Sequence, residues 1–258
     1  MKKLLALLLL SACASNEAPV VGSAQLIRPF SAGAIIDLTH ELHEDMPYWP
    51  GGVPFRMERL VDYDQGYRLH KFEVGENTGT HVDAPAHFVE GNWAIDQIPL
   101  QRLIVPAVVI DIQDKVAADP DYQLMPPDIV AWESKYGRIP KNALVILNTG
   151  WHKRFGDAPT YVNMDDGGVM HFPGYHPRSA ALLIDRKIVG AGIDTLSLDN
   201  GPSKTFDFHR VMLEANKYQI ENLANLDALP PTGATVFVGV LPVMGGSQAQ
   251  ARVVALLP

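Results

Sequence analysis

Glu76-Asn77-Thr78-Gly79-Thr80-His81-Val82-Asp83-Ala84-Pro85-Ala86-His87-Phe88 is where metal-capable side chains crowd most closely in this sequence. In an extended segment, side chains two apart share a face, so Asn77, His81, Asp83 and His87 are expected to project the same way, with Gly79 and Pro85 between them. An imidazole and a carboxylate spaced as His81-x-Asp83 suit a divalent ion of the Zn or Mn kind, and His87 is placed to act as acid or base beside it. A lone histidine reads as a loop side chain that only hydrogen-bonds. Two histidines and an aspartate on one face read as an active site.

These residues resemble the signature of the metal-dependent cyclase-family hydrolases, the group that includes bacterial kynurenine formamidase and isatin hydrolase. Its motif runs His-x-Gly-Thr-His-x-Asp-x-Pro-x-His-Phe. Gly79, Thr80, His81, Asp83, Pro85, His87 and Phe88 match, and Asn77 stands where the family has its first histidine. The resemblance implies metal roles for His81 and Asp83 and an acid/base role for His87. An amide oxygen at Asn77 coordinates a borderline metal more weakly than imidazole, which tilts the site toward Mn or toward ligands from elsewhere.

Outward from the motif, the resemblance continues. Met46-Pro47-Tyr48-Trp49-Pro50-Gly51-Gly52 is a rigid loop by its prolines and glycines. It is similar to the family segment whose aromatic borders the substrate pocket, so Trp49 is a candidate for stacking on a planar substrate, with a core-edge role as the other reading. Gly192-Ile193-Asp194-Thr195-Leu196-Ser197-Leu198-Asp199 and Glu221-Asn222-Leu223-Ala224-Asn225-Leu226 resemble two further family segments. A His and a Glu at the spacing of His209 and Glu221 complete the family's metal centre, which implies that both join His81, Asp83 and His87. His152, after Thr149-Gly150-Trp151, reads as a surface or loop histidine, and Asp111 as structural.

The remaining chain supplies the scaffold. Ile35 to Leu38, Arg68 to Val74, Pro106 to Ile112, Leu144 to Asn148 and Ile188 to Thr195 read as strands, the third as one buried on both faces. Asp128 to Tyr136 and Arg178 to Arg186 read as short helices. Ala234 to Leu241 and Ala251 to Leu257 read as strands that pair antiparallel through the turn at Met244-Gly245-Gly246. Strands interleaved with short helices give an α/β domain with a mixed sheet, which the resemblance sharpens to the swivelling β/β/α cyclase-like fold over residues 35–258.

A chain of 258 residues, 47% hydrophobic and 19% charged, is sized for one large domain. Met1-Lys2-Lys3 followed by the leucine run Leu4 to Leu10 reads as a secretory leader over residues 1–12, too short to span a membrane. Leu10-Ser11-Ala12-Cys13 resembles a bacterial lipobox, so Cys13, the sole cysteine, is expected to carry lipid on the periplasmic side, at the outer membrane by the Ala14 that follows. Residues 13–34 read as a tether. The formal net charge of −8, more negative still without Lys2 and Lys3, and the lack of a basic run argue against nucleic acid or an anionic membrane surface as partner.

The chemistry expected from the resemblance is hydrolysis of a small aryl or cyclic amide by water activated at a divalent ion, Mn or Zn, with His87 moving the proton. No Gly-x-Ser-x-Gly elbow offers a serine nucleophile. An exported protein fits isatin-type ring opening better than cytosolic formylkynurenine breakdown. The alternatives are an arylformamidase and a periplasmic binding module that lost catalysis. Family resemblance further implies a homodimer or higher homo-oligomer.

Overall fold

The computed structural model describes residues 33–258; the leader, Cys13 and nearly all of the expected tether lie outside them. Twelve strands and five short α-helices follow one another along this span. The strands are β1 (Ala34–Asp37), β2 (Arg56–Val61), β3 (Leu69–Glu73), β4 (His81–Asp83), β5 (Ile104–Asp111), β6 (Gln123–Leu124), β7 (Leu144–Asn148), β8 (Gly174–Tyr175), β9 (Gly190–Ile193), β10 (Tyr218–Glu221), β11 (Thr235–Val240) and β12 (Gln248–Leu257). The helices are α1 (Gln113–Ala118), α2 (Pro126–Tyr136), α3 (Ala158–Val162), α4 (Pro177–Asp185) and α5 (Asp207–Glu214). The first strand opens at Ala34, one residue inside the expected tether.

Eight strands form one mixed sheet in the order β1-β12-β11-β5-β7-β9-β10-β4, and β4 also pairs with β12. That last pairing closes the sheet into a barrel, with β1 added outside the ring. The expected hairpin between the two C-terminal strands is present, Val240 standing opposite Ala251 in antiparallel register. β5, β7, β9 and β10 are joined in turn by parallel pairs, and each link from one to the next carries one or two helices.

Alternation along the strands sorts apolar side chains into two cores. Val105, Ala107 and Val109 of β5 and Leu144 and Ile146 of β7 join a cluster that also draws Val82, Ile220, Val236 and Val253 into the barrel. Their neighbours Val108, Ile110, Val145 and Leu147 face outward, against Ile129 and Trp132 of α2 and Leu183 of α4. This is the two-sided burial that the unbroken apolar runs require. In β9, a Cβ at Gly190 would stand 2.5 Å from Tyr218 O and one at Gly192 2.8 Å from a Leu223 methyl. No side chain fits on that face, which is why both positions are glycine.

One sequence expectation needs correction. Residues 77–87 do not form one extended row: only His81–Asp83 is strand, and Pro85–His87 is a 3-10 turn. Gly79, at φ 78°, turns the chain just before the strand, and Pro85 ends it. The strand expected at Arg68 to Val74 is present as β3, paired with β2 in a separate two-stranded hairpin.

Candidate active site

The alternation that sends Val82 and Ile220 into the barrel sends their neighbours His81, Asp83 and Glu221 to its outer wall. β10 and β4 are antiparallel with Glu221 opposite His81, so the cross-strand pair shares a face. Helix α5 lies over this wall and returns His209 to it. All four side chains are buried.

His81 Nδ1 lies 2.8 Å from Gly79 O. A carbonyl accepts only, so Nδ1 carries a proton and Nε2 is the nitrogen turned toward the carboxylates. That Nε2 is 3.2 Å from Asp83 Oδ1 and 3.3 Å from Glu221 Oε2. On the other side, His209 Nε2 is 3.4 Å from Asp83 Oδ2 and 3.1 Å from Glu221 Oε1. Each carboxylate thus gives one oxygen to each imidazole. One ligand atom from each of His81, Asp83 and Glu221 lies within 4.8 Å of the others.

The donor set fits a divalent cation. Burial alone would lower the His81 pKa, yet hydrogen bonds to Asp83 and Glu221 raise it to about 10. His209 is likewise raised well above the ordinary imidazole value: burial opposes it, and Asp199, Asp83 and Glu221 overcome it. Burial would raise the Asp83 pKa, but His209 and His81 hold it well below the usual carboxylate range. The site stabilises positive charge strongly enough to overcome desolvation. Asp83 Oδ2, fully buried, has no hydrogen-bond partner among the described residues, and an ion supplies the compensation that such an atom requires.

Asp199 builds the helix side. Its oxygens accept from the amides of Phe208, at 2.9 Å, and His209, at 3.1 Å, at the start of α5, and Oδ2 lies 2.6 Å from His209 Nδ1. One carboxylate both caps the helix and orients the imidazole. Gln248 of β12, opposite Asp83, donates to Asp83 Oδ1 at 2.6 Å. Neither Asp199 nor Gln248 carries a role in the sequence reading.

Above the cluster lies a cavity of about 250 Å³ lined by Trp49, Phe88, Leu196 and Phe206 on its apolar side, with Asn77, His87, Ser197 and Gln248 among its polar groups. The sequence candidates Trp49, Asn77 and His87 therefore meet at one pocket with His209 and Glu221. Trp49 also packs on the outer core, so its two sequence readings both hold. Phe206, between Trp49 at 6.0 Å and Phe88 at 5.8 Å, completes an aromatic wall. Phe206 adopts φ 52°, a costly conformation for a bulky residue that the start of α5 imposes. Burial lowers the His87 pKa, so its imidazole is neutral at neutral pH.

The resemblance seen in the motif extends over the chain. The family model named Cyclase matches residues 36–200, more than half of the sequence. The chain belongs to the cyclase family. Isatin hydrolase of Roseibium aggregatum is 37% identical over 255 residues, covering 95% of this chain and 94% of that protein. Kynurenine formamidase of Bordetella petrii is 26% identical over 189 residues, 72% of this chain and 81% of that one. Among solved structures, isatin hydrolase A from Labrenzia aggregata, bound to benzyl benzoate, superposes with a TM-score of 0.83 at 36% identity, covering 87% of this chain and 93% of that one. This cyclase-family chain is a hydrolase of amide C–N bonds outside peptides, and its His81, Asp83 and Glu221 form a group that could hold a divalent ion.

One histidine departs from its sequence reading. His152 is not at the surface: its side chain is 8% exposed and its Nδ1 lies 2.9 Å from Asp194 Oδ2. Nearby, His40 stacks on Phe155 with ring centres 3.6 Å apart, and its Nε2 has no partner among the described residues.

Proposed function

We propose that this enzyme opens a small cyclic amide fused to or carrying an aromatic ring, with isatin-type substrates favoured. The observation that carries this reading is the meeting of the ligand cluster, a neutral histidine and an aromatic wall at one pocket. His81, Asp83, Glu221 and His209 hold the ion, with Asn77 at the rim of the same pocket. Because Asp83 and Glu221 each divide their oxygens between the two imidazoles, the cluster offers ligands for one ion or for two. Mn is favoured over Zn, since Asn77 replaces an imidazole by a harder oxygen donor.

When bound, the ion polarises the amide carbonyl and increases the acidity of water. His87 accepts the proton from the attacking water and returns it to the departing nitrogen, and the C–N bond breaks to leave a carboxylate and an amine. Trp49, Phe88 and Phe206 hold the planar ring and keep bulk water from the reacting atoms. The likeness to isatin hydrolases supports the ring-opening reading over the arylformamidase one, which the kynurenine formamidase relative keeps in second place. His87, facing the cluster, weighs against a binding module without catalysis.

We further propose a lipid-anchored protein on the periplasmic side, from the Leu10-Ser11-Ala12-Cys13 sequence. A homodimer or higher homo-oligomer is supported by the β2–β3 hairpin, which exposes Leu60, Tyr63, Tyr67 and Phe72. The deciding experiment pairs metal content with turnover. Purified protein is expected to carry at least one Mn or Zn and to open isatin faster than it cleaves N-formylkynurenine, and Asp83→Ala to lose both metal and rate. Metal-replete protein that turns over no aryl or cyclic amide would leave only the binding module.

A further inference from the structure

Gln248 lies across the strand pair from Asp83 and is 7% exposed. Its amide has two ends of similar shape and opposite hydrogen-bonding character. The end 2.6 Å from Asp83 Oδ1 is the NH2, because an ionised carboxylate ligand only accepts. That contact fixes the direction of the other end. Among the described residues Gln248 Oε1 accepts no hydrogen bond, and it is not one of the fully buried, unpartnered atoms. It therefore keeps some exposure, on a side chain that lines the pocket.

Asn77 and Ser197 also bring neutral oxygens to the pocket, but of the three only Gln248 has a side-chain hydrogen bond to a residue of the ligand cluster. The aromatic wall accepts nothing, His209 and Glu221 belong to the ligand cluster, and His87 handles the proton. Gln248 Oε1 is a neutral acceptor held beside Asp83 by its own NH2. A cyclic amide differs from a lactone or a cyclic ketone of the same shape by one donor, the ring N–H next to the scissile carbonyl. We infer that Gln248 Oε1 accepts that N–H and makes the site selective for lactams with a free N–H. This inference rests on the amide-hydrolase reading above. Because one amide grips both the metal ligand and the substrate nitrogen, Gln248 sets the C–N bond in register with the cluster.

The test uses the full, Mn-replete protein with isatin and N-methylisatin as probes. Wild type is expected to favour isatin in kcat/KM by about tenfold, the scale of one hydrogen bond. Gln248→Met keeps the volume and removes the acceptor, so the preference is expected to fall to about one, chiefly through a higher KM for isatin. Metal content, measured separately by mass spectrometry, is expected to match wild type. A preference that survives in Gln248→Met overturns the inference. So does loss of metal from that variant, which would assign Gln248 to supporting the ligand cluster through Asp83 and not to the substrate. Equal turnover of both lactams by wild type sinks this inference alone, whereas silence toward both, in protein of full metal content, sinks the amide-hydrolase reading and this inference with it.

Discussion

Asp199 Oδ2 and His209 Nδ1 lie 2.6 Å apart, both buried, and the contact places a His209 proton on Nδ1 and leaves Nε2 to face the other carboxylates. The imidazole can then face Asp83 and Glu221 as a ligand without turning. Asp199→Asn keeps the shape and can present its NH2 to Nδ1, favouring the wrong tautomer. Metal affinity is expected to fall about 10- to 100-fold, the usual loss for an outer partner of a ligating histidine. Titration with Mn by calorimetry reads this directly, and unchanged affinity would take His209 out of the metal shell.

His87 is expected to separate metal from rate. His87→Ala should retain its ion while kcat falls roughly 10²- to 10⁴-fold, the contribution of a positioned proton-transfer group. Burial lowers the pKa of His87 from 6.5, and a cation in the cluster lowers it further. The base must be neutral to work, so the acid limb of the wild-type rate profile is expected below pH 6.5. An acid limb above 6.5, or loss of metal along with rate, would assign His87 elsewhere.

Asn77 tests the other end of the motif. If its amide oxygen coordinates, Asn77→His should tighten metal binding and shift the preference from Mn toward Zn. Competition between the two ions, followed by metal analysis, reports the shift. An unaltered preference and affinity would mean that Asn77 only borders the pocket.

His40 makes a prediction about stability. Burial, then the charge of His152, lowers its pKa to about 4. The unfolded chain therefore binds a proton that the folded chain refuses between about pH 6.5 and 4, and the folded state loses stability as pH falls through that window. His40→Phe keeps the stacking on Phe155 without the titration. Its urea midpoint is expected to change less than that of wild type between pH 6.5 and 4.5, and parallel curves would contradict the assignment.

Cys13 decides location. A radioactive fatty acid is expected to label the wild type and not Cys13→Ser, and a mature protein cut elsewhere without lipid would rule the anchor out.

The parts of the fold legible in the sequence are those whose burial is simple. β5 and β7 are unbroken apolar runs because both faces are covered, and α2 has two prolines at its start and Gly137 at its end. β10 escaped because Gln219 and Glu221 interrupt its pattern with polar side chains, and Glu221 joins the cluster. α5 escaped for a similar reason, since it begins at a strained Phe206 and carries the buried His209 in its first turn. His209 and Glu221 were reachable only through family resemblance; their contact joins a helix to a strand, which spacing alone does not reveal. Asp199 lay in a stretch already singled out and could have been found by asking what caps the helix before His209. Gln248 has no comparable signal. His152 was misread because its partner, Asp194, lies 42 residues away.

β4 is three residues long, bonded to β10 on one side and β12 on the other, and two of its three residues, His81 and Asp83, belong to the group that could hold a metal ion. The ring of strands is therefore fastened at its shortest stave, and the fastening is the catalytic cluster itself. An ion that favours the native chain adds its binding free energy to the whole barrel but anchors it at this seam. Stripping the ion by chelation removes a clasp as well as a reagent, so durability and catalysis in this protein are subject to the same scarcity of metal.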